Sequence, residues 1–343
     1  MPSVRRYAAR LIIGFILIAL VYVSLAIWIP GQRELRIARR IEACGSRCVF
    51  KYIGPVWIPL SIRERFFFLQ RIEGVDFKQR TPPSDVFKDL EFLSSMSWLT
   101  LRGTGITDHD LKSLRGLVNL RLLQLSMTSV TDAGLQELQG LTKLEDLYLS
   151  SCALGGSGLK YLHGMKSLSS LSLGATWVTD SSLKDLEGLT KLEYLQLSHC
   201  SLDDTGLHAL RNMTSLKSLY LDRTRVTDSG LQELQGLTAL EQLYLDHCPV
   251  DGSGLKFLNR TTSLTTLCLR GSQVTDSGLE GIEGLVALSV LSLDDTQITD
   301  EGCVHFKPLK QLHQLDLNKT ANTPAGRAKL RSELPTCRIE PSP

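Results

Sequence analysis

The residues best suited to chemistry in this sequence are eight cysteines and seven histidines, and three of the cysteines recur at a fixed interval. Cys152, Cys200 and Cys248 are 48 residues apart, and His199 and His247 directly precede two of them. A thiolate next to an imidazole could ligate zinc. However, the repeats described below would separate these cysteines by about 10 Å, whereas a disulfide needs Cα atoms about 4.4 to 6.8 Å apart. We therefore predict that they are buried packing residues, without a metal.

Cys44 and Cys48 differ because only residues 45–47 separate them. A tight turn there would bring two thiols together, and in an oxidising compartment they could form a disulfide. A reduced hairpin whose cysteines simply pack is the alternative. The sequence leaves both readings open.

Catalytic motifs are missing from the sequence. It contains no Gly-x-Ser-x-Gly elbow, no phosphate loop ending in Gly-Lys-Ser/Thr and no His-Glu-x-x-His. Aspartates recur at the start of the predicted helical segments, where capping is their expected role: Asp108, Asp132, Asp180, Asp228, Asp276 and Asp300. We predict no catalytic residue, no cofactor and no metal site, and hence no enzyme.

Ten Leu-x-Leu pairs recur every 24 residues, from Leu99 and Leu101 to Leu315 and Leu317. A period this strict predicts a solenoid. Each pair alternates with other residues, as in a short strand that is buried on one face. Threefold-spaced leucines then follow, as on one face of a helical turn. A single unit cannot bury both faces, so neighbouring units must stack.

The same register sets the predicted boundaries. One degenerate repeat at Val75 and Phe77 precedes the ten pairs, residues 61–72 are predicted to form a capping helix, and the array ends near Ile339. The predicted organisation is a basic tail 1–10, a transmembrane helix 11–29, a juxtamembrane segment and cap 30–72, the solenoid 73–339 and a tail 340–343.

Leu11 to Ile29 form a run without charged residues, preceded by arginines and followed by Pro30. At about 1.5 Å per residue the run is about 28 Å long, close to the roughly 30 Å hydrocarbon core. We predict an uncleaved single-pass anchor. The alternative is a signal peptide cleaved after Ala26, since small residues there have the required spacing.

Basic residues flank both ends of this run, at positions 5, 6 and 10 and at 33, 36, 39 and 40. The short N-terminal tail favours an exported solenoid. Alternatively, residues 32–43 could lie on an anionic cytoplasmic leaflet or be a solvated helix. Lys and Arg outnumber Asp and Glu by 15 to 8 in residues 1–92, but number 23 against 28 in residues 93–343. A mildly acidic array disfavours nucleic acid as a partner.

Side chains between the leucines project from the open face of the predicted sheet, and solenoids bind partners on their concave surface. Tyrosine offers a large rigid area with a polar tip, which suits an interface. Neighbouring aspartates would favour a basic or amine-bearing partner. The predicted protein- or peptide-binding residues are Tyr148, Tyr194, His199, Tyr220, Asp222, Arg223, Tyr244, Asp246 and His247.

The repeated frame resembles the leucine-rich repeat, and Val-Thr-Asp-x-Gly-Leu at Val130, Val226 and Val274 resembles its cysteine-containing subtype. The resemblance implies an α/β solenoid with parallel strands on the concave face and helices or helical turns on the convex face. The whole layout is similar to membrane-anchored leucine-rich repeat proteins of planctomycete-type bacteria, for which the implied role is protein interaction.

Four functions are compatible with the sequence. The first is a membrane-anchored scaffold that binds a protein or peptide, with its solenoid outside the cytoplasm. The second is a secreted or soluble adaptor produced by signal cleavage, and the third is a structural envelope spacer. An F-box-like substrate receptor is disfavoured, because no F-box-like segment precedes the repeats.

Overall fold

One parallel strand per repeat builds a single sheet. The computed structural model describes residues 24–54, 63 and 69–340, together with residues 13, 15–19 and 21. In these ranges the sheet has 13 strands in sequence order. They are β1 (Arg47–Tyr52), β2 (Gln70–Asp76), β3 (Trp98–Thr100), β4 (Leu122–Gln124), β5 (Asp146–Tyr148), β6 (Ser170–Ser172), β7 (Tyr194–Gln196), β8 (Ser218–Tyr220), β9 (Gln242–Tyr244), β10 (Thr266–Cys268), β11 (Val290–Ser292), β12 (Gln314–Asp316) and β13 (Arg338–Glu340).

Short helical segments return the chain from one strand to the next. The α-helices are α1 (Ile29–Ala43), α2 (Ser84–Lys88), α3 (Asp132–Leu135), α4 (Asp180–Leu183), α5 (Asp204–Leu207) and α6 (Pro324–Glu333). A π-helical turn, Ser24–Trp28, precedes α1. The 3₁₀ helices are Asp89–Phe92, Asp110–Leu114, Gln136–Leu138, Leu159–Leu162, Lys184–Leu186, His208–Leu210, Gly230–Gly236, Leu255–Arg260, Asp276–Ile282 and Gly302–Phe306.

The strands from β2 to β13 are parallel and shifted by one repeat. Leu195 of β7 pairs with Leu171 of β6 and Leu219 of β8, and all three are fully buried. Because the side-chain period of a strand is two, burying this leucine turns both of its strand neighbours to the opposite face. The predicted α/β solenoid of stacked strands and helical turns is therefore confirmed.

A hydroxyl or thiol lies at the bend after each of the strands β3 to β12 and donates to a strand-end carbonyl of its own or the preceding repeat. Thr128 Oγ1 donates to the carbonyl of Leu125 over 2.7 Å, and Cys152 Sγ donates to the same carbonyl over 3.2 Å from the next repeat. Cys200 and Cys248 bind equivalent carbonyls, and burial raises the pKa of both thiols. All three cysteines are buried and free, so the prediction that they are packing residues is confirmed.

The recurring aspartates cap the following repeat, and this corrects the predicted capping of their own helices. Asp132 accepts hydrogen bonds from the backbone N–H groups of Gly155, Gly156 and Gly158, over 2.9, 3.1 and 3.0 Å. The first turn of its own helix is capped by Thr131, whose Oγ1 accepts from the Ala133 N–H.

These carboxylates explain most glycines at the fifth position of the Val-Thr-Asp-x-Gly-Leu frame, whereas Gly278 makes room for the Asp251 backbone carbonyl. A Cβ on Gly206 would overlap Oδ1 of Asp180 from the preceding repeat. The same aspartate oxygen accepts from the Asp203 N–H over 2.9 Å. The same overlap occurs at Gly134, Gly230, Gly302 and Gly326. Glycine is therefore required where an aspartate of the repeat before reaches across.

Helix α1 and the β1–β2 hairpin close the N-terminal end of the core. Ile37, Ala38 and Ile41 are buried, and β1 pairs antiparallel with β2. The predicted capping helix at 61–72 is wrong for its last residues, because β2 begins at Gln70 and its backbone bonds are taken by β1 and β3. Residues 61, 62 and 64–68 lie outside the described residues.

A buried ion pair connects α1 to β2. Glu34 and Arg71 side chains are 7% and 8% exposed, with Oε1 and Nε 3.5 Å apart, and Glu34 Oε2 accepts from the Ile72 N–H over 2.7 Å. Burial raises the pKa of Glu34, while the Ile72 bond and Arg71 act to lower it. Arg71 Nη2 also donates to the Ile27 carbonyl over 2.8 Å, and these bonds join the start of α1 to the sheet.

The predicted transmembrane helix is described only in part. Residues 11, 12, 14, 20, 22 and 23 of the predicted span 11–29 lie outside the described residues. In the part of the chain that the structure describes, no helix is both long enough and apolar enough to cross a bilayer.

Replacing Leu195 with alanine should lower the free energy of unfolding by about 2 to 5 kcal/mol. Leu195 is fully buried between two neighbouring leucines, so the truncation leaves a cavity that both neighbours border. Denaturant unfolding followed by circular dichroism measures the change. The exposed Lys191→Ala in the same repeat is the control. Equal stability of the two variants would contradict this register.

Replacing Gly206 with alanine should destabilise the protein by about 1 to 3 kcal/mol, because the new methyl group collides with the Asp180 carboxylate. Gly140→Ala is the matched control, since no atom lies within 4 Å of a Cβ at that position. Unfolding curves of both variants test the prediction. A Gly206→Ala protein as stable as Gly140→Ala would show that the carboxylate does not need this space.

Candidate functional site

The candidate surface is the sheet face opposite the buried leucines. Tyr148 lies on β5, Tyr194 on β7, Tyr220 on β8 and Tyr244 on β9. All four are half-buried, while the leucine beside each is fully buried. Alternation along the strands thus presents the tyrosines outward.

Three of these tyrosines form a continuous row across three adjacent strands, which we call the tyrosine row: Tyr194, Tyr220 and Tyr244. The ring centroids of Tyr194 and Tyr220 are 5.2 Å apart with planes tilted by 48°. Those of Tyr220 and Tyr244 are 4.3 Å apart and nearly parallel, at 6°. Stacked rings restrict one another's rotation, so the row offers a preorganised aromatic surface.

Tyr148 is separated from the row by β6. That strand contributes only serines to this face, Ser170 and the buried Ser172. The Ser150 and Ser172 hydroxyl oxygens are 2.5 Å apart. Tyr148 and Tyr194 therefore border a small polar patch instead of forming one aromatic surface.

The hydroxyls of Tyr148, Tyr194 and Tyr244 are protonated at neutral pH, because the pKa of each is raised. Burial is the main cause that raises the pKa of Tyr148, Tyr194 and Tyr244. Neighbouring acidic groups raise it further, notably Asp146 for Tyr148 and Tyr220 for the other two. A neutral phenol both donates and accepts hydrogen bonds, so the row can bind polar groups of a partner at its edge.

Asp222 and Asp246 flank the row and connect successive repeats. Asp222 Oδ1 accepts from the Asp246 N–H over 3.0 Å, and its Oδ2 accepts from Ser198 Oγ over 2.8 Å. Asp246 Oδ1 accepts from the Arg270 N–H over 2.9 Å. Burial and the nearby Asp222 raise the pKa of Asp246, against the lowering effect of the Arg270 bond. Both aspartates are therefore anchored while remaining on the open face.

Further carboxylates lie on this face beyond the row. Burial and the carboxylates of Asp246, Asp222 and Asp316 raise the pKa of the Cys268 thiol to about 12. Burial raises the pKa of Asp316, and the nearby Asp294 contributes. In the described part of the chain none of these four aspartates has a basic side chain within 4 Å. The face can accept positive charge.

His199, Arg223 and His247 occupy one position in consecutive repeats, just past the strands. Their φ angles are 61°, 54° and 58°, in the left-handed region that turns the chain toward the bend. His199 is exposed, whereas Cys200 is buried and donates to the Leu173 carbonyl. Adjacent residues thus point to opposite sides, and the described residues hold no cluster of three side chains that could bind a metal.

Cys44 and Cys48 are both free thiols in this structure. Cys44 Sγ donates to the Arg40 carbonyl over 3.3 Å, and Cys48 is buried opposite Val75. Burial, reinforced by Glu42, raises the pKa of Cys48 to about 12. The thiol of Cys48 is therefore a poor nucleophile at neutral pH, and a bridge between the pair stays a prediction for an oxidising compartment.

One aromatic residue that was not predicted from the sequence, Trp98, lies at the N-terminal end of the same face. The indole of Trp98 on β3 lies across Gly74 of β2, where a Cβ would overlap the ring. Trp98 takes the position that Tyr194 takes in β7. Two signals in the sequence could have identified Trp98, namely its outward strand position and the glycine one repeat earlier.

Comparison with known proteins agrees with this architecture. Leucine rich repeat models match residues 191–250, 140–162 and 261–282. Among curated proteins no sequence matches this chain significantly. The matches and the fold together support the leucine-rich repeat as the repeating unit.

Solved structures of leucine-rich repeat type are similar in fold. An internalin (InlF) of Listeria monocytogenes is 23% identical with a TM-score of 0.51, over 73% of this chain and 81% of the internalin. A leucine-rich repeat protein of Leptospira interrogans is 20% identical with a TM-score of 0.55, over 74% of each chain. The ectodomain of the Arabidopsis receptor kinase HAESA, in complex with an extended IDA peptide hormone, is 19% identical with a TM-score of 0.53. That match covers 68% of this chain and 40% of the ectodomain.

Proposed function

We propose that this protein is a non-enzymatic, membrane-anchored scaffold that binds a protein or peptide on a concave sheet face centred on the tyrosine row. The observation that carries the proposal is the stacking of three tyrosines on adjacent strands, with centroids 5.2 and 4.3 Å apart. Large rigid aromatic side chains are typical of the energetic centres of interfaces. Leucine-rich repeat proteins generally act in protein interaction, and the HAESA ectodomain holds a peptide hormone.

The proposed partner presents a basic side chain or a free amine. Asp222 and Asp246 flank the row, and neither has a basic side chain within 4 Å among the residues described. Tyrosine faces attract cations as well. A lysine or arginine would therefore find an aromatic ring and a carboxylate side by side. Arg223 lies at the rim of the face between His199 and His247, and its charge would limit how many positive charges the partner carries.

The proposal includes anchoring through residues 11–29 and a solenoid outside the cytoplasm. It rests on the length of the uncharged run and on the short basic tail before it. The cysteine-containing subtype and the likeness to planctomycete-type anchored proteins belong to the same proposal, since they depend on sequence motifs alone.

A random-peptide display selection on the full-length, detergent-solubilised protein tests the binding site. We expect selected peptides to be enriched in lysine or arginine. Replacing Tyr194, Tyr220 and Tyr244 with serine should weaken their binding at least about tenfold, as expected for loss of interface hot spots. Fluorescence anisotropy with labelled peptides gives the dissociation constants.

Two controls make the result specific. Trp177→Ser removes an aromatic side chain that is 68% exposed outside the tyrosine row, and it should leave binding unchanged. Asp222→Asn should weaken basic peptides without weakening neutral ones. All variants must melt at the temperature of the parent. If the triple tyrosine variant binds the selected peptides as tightly as the parent does, the row is not the binding site.

A further inference from the structure

Helix α1 carries exposed arginines, among them Arg33 and Arg36. Its apolar residues Ile37 and Ile41 are buried against the first repeats, which fixes the rotation of the helix. Arg33 and Arg36 then lie exposed, three residues apart and thus neighbours on the helix surface. The buried Glu34 faces the other way, toward Arg71.

These arginines open onto a cleft of about 540 Å³ between α1 and the segment after α2. We call it the arginine cleft. It is lined by Ile29, Arg33, Arg36, Ile37, Arg40 and Asp89. The volume lies within the range of about 300 to 1,000 Å³ that is typical of small-ligand sites.

Arg40 forms ion pairs with both carboxylates nearest to the cleft and offsets one of their two negative charges. One of its Nη atoms is 2.5 Å from Asp85 Oδ2, and the other binds Asp89. Within the described ranges, neither Arg33 nor Arg36 has a carboxylate within 4 Å. Two cations therefore remain available to a ligand at the mouth of the cleft.

Arg33 is held in place by an aromatic ring and keeps its hydrogen-bond donors. Its guanidinium carbon lies 3.2 Å from the centroid of the Phe92 ring. A stacked guanidinium directs its N–H groups outward in its own plane, where they can bind a phosphate in bidentate fashion. Stacking also lowers the entropy lost when a ligand binds.

The cleft is close to the end of the proposed anchor. Trp28 and Ile29 are exposed apolar residues, 47% and 50% accessible, at the start of α1. Along a helix Arg33 is about 6 Å and Arg36 about 10 Å beyond Ile29, and a headgroup layer is roughly 5 to 8 Å thick. Continuing the anchor into α1 therefore places Arg33 within the headgroup layer and Arg36 just outside it, from where its long side chain can reach back to a lipid phosphate.

We propose that the arginine cleft binds the phosphate of an anionic phospholipid headgroup in the leaflet from which α1 emerges. The inference rests on the proposed anchoring. Because Glu34 and Arg71 join α1 to β2, a headgroup bound there would also fix the solenoid relative to the membrane surface.

Native mass spectrometry of the full-length protein in neutral detergent tests the cleft. Phosphatidylglycerol and phosphatidylcholine are titrated separately, and the bound lipid is counted. We expect preferential retention of phosphatidylglycerol, and about tenfold weaker retention after Arg33→Gln combined with Arg36→Gln. The control, Lys310→Gln with Lys329→Gln, removes the same charge from exposed positions at the other end of the array and should change nothing.

The proposal is overturned if the arginine variant retains as much phosphatidylglycerol as the parent, if the lysine control loses as much, or if phosphatidylcholine binds equally well. Displacement of the lipid by millimolar inorganic phosphate would also overturn it, as evidence for a free-phosphate site. Equal melting temperatures exclude misfolding. Flotation of the parent with neutral phosphatidylcholine vesicles tests the anchor separately, because that arm does not depend on the cleft.

Discussion

Each repeat of this protein is stable only against its neighbours, and a carboxylate between successive repeats defines how closely they stack. Asp132 binds three backbone N–H groups of the next bend, and Asp228 does the same four repeats further along the chain. The backbone donors at a bend have no strand partner, so a side-chain acceptor must satisfy them, and in most repeats it comes from the repeat before. This requirement fixes both the aspartate and the glycine of the repeated frame.

That constraint determines the structural role of each position within a repeat. Leucines fill the core, threonine or cysteine closes the bend, and aspartate with glycine joins neighbours, so most positions of the 24-residue unit are structurally committed. The outward strand positions and the turn residues do not have these structural roles. They vary from repeat to repeat, and Tyr194, Tyr220 and Tyr244 occur there on consecutive strands. Substitutions at these positions therefore change the surface without disturbing the packing between repeats.

Much of the fold could be predicted because burial dictates residue type. The ten Leu-x-Leu pairs became strands β3 to β12 in the expected register, and the outward location of the tyrosines followed from alternation. The partner of each aspartate could not be predicted, since the acceptor reaches 23 to 26 residues ahead. The cap was misplaced for a related reason: Ile37 and Ile41 do lie on one helix face, but only the folded first repeat shows what they cover. Tyrosine stacking could not be predicted either, because it depends on the distance between neighbouring strands, which the sequence of a single repeat does not give.

Amide hydrogen exchange of the parent and of Asp228→Ala, followed by mass spectrometry of short peptides, tests most directly whether aspartates hold the following repeat. Asp228 accepts from the N–H groups of Asp251, Gly252 and Gly254 over 2.7, 3.0 and 2.7 Å. If the aspartate holds the following repeat, the variant shows faster exchange at residues 251–254 and unchanged protection at residues 227–230. Faster exchange at 227–230 with 251–254 unaffected would contradict it and would return the aspartate to the role of a cap on its own helix.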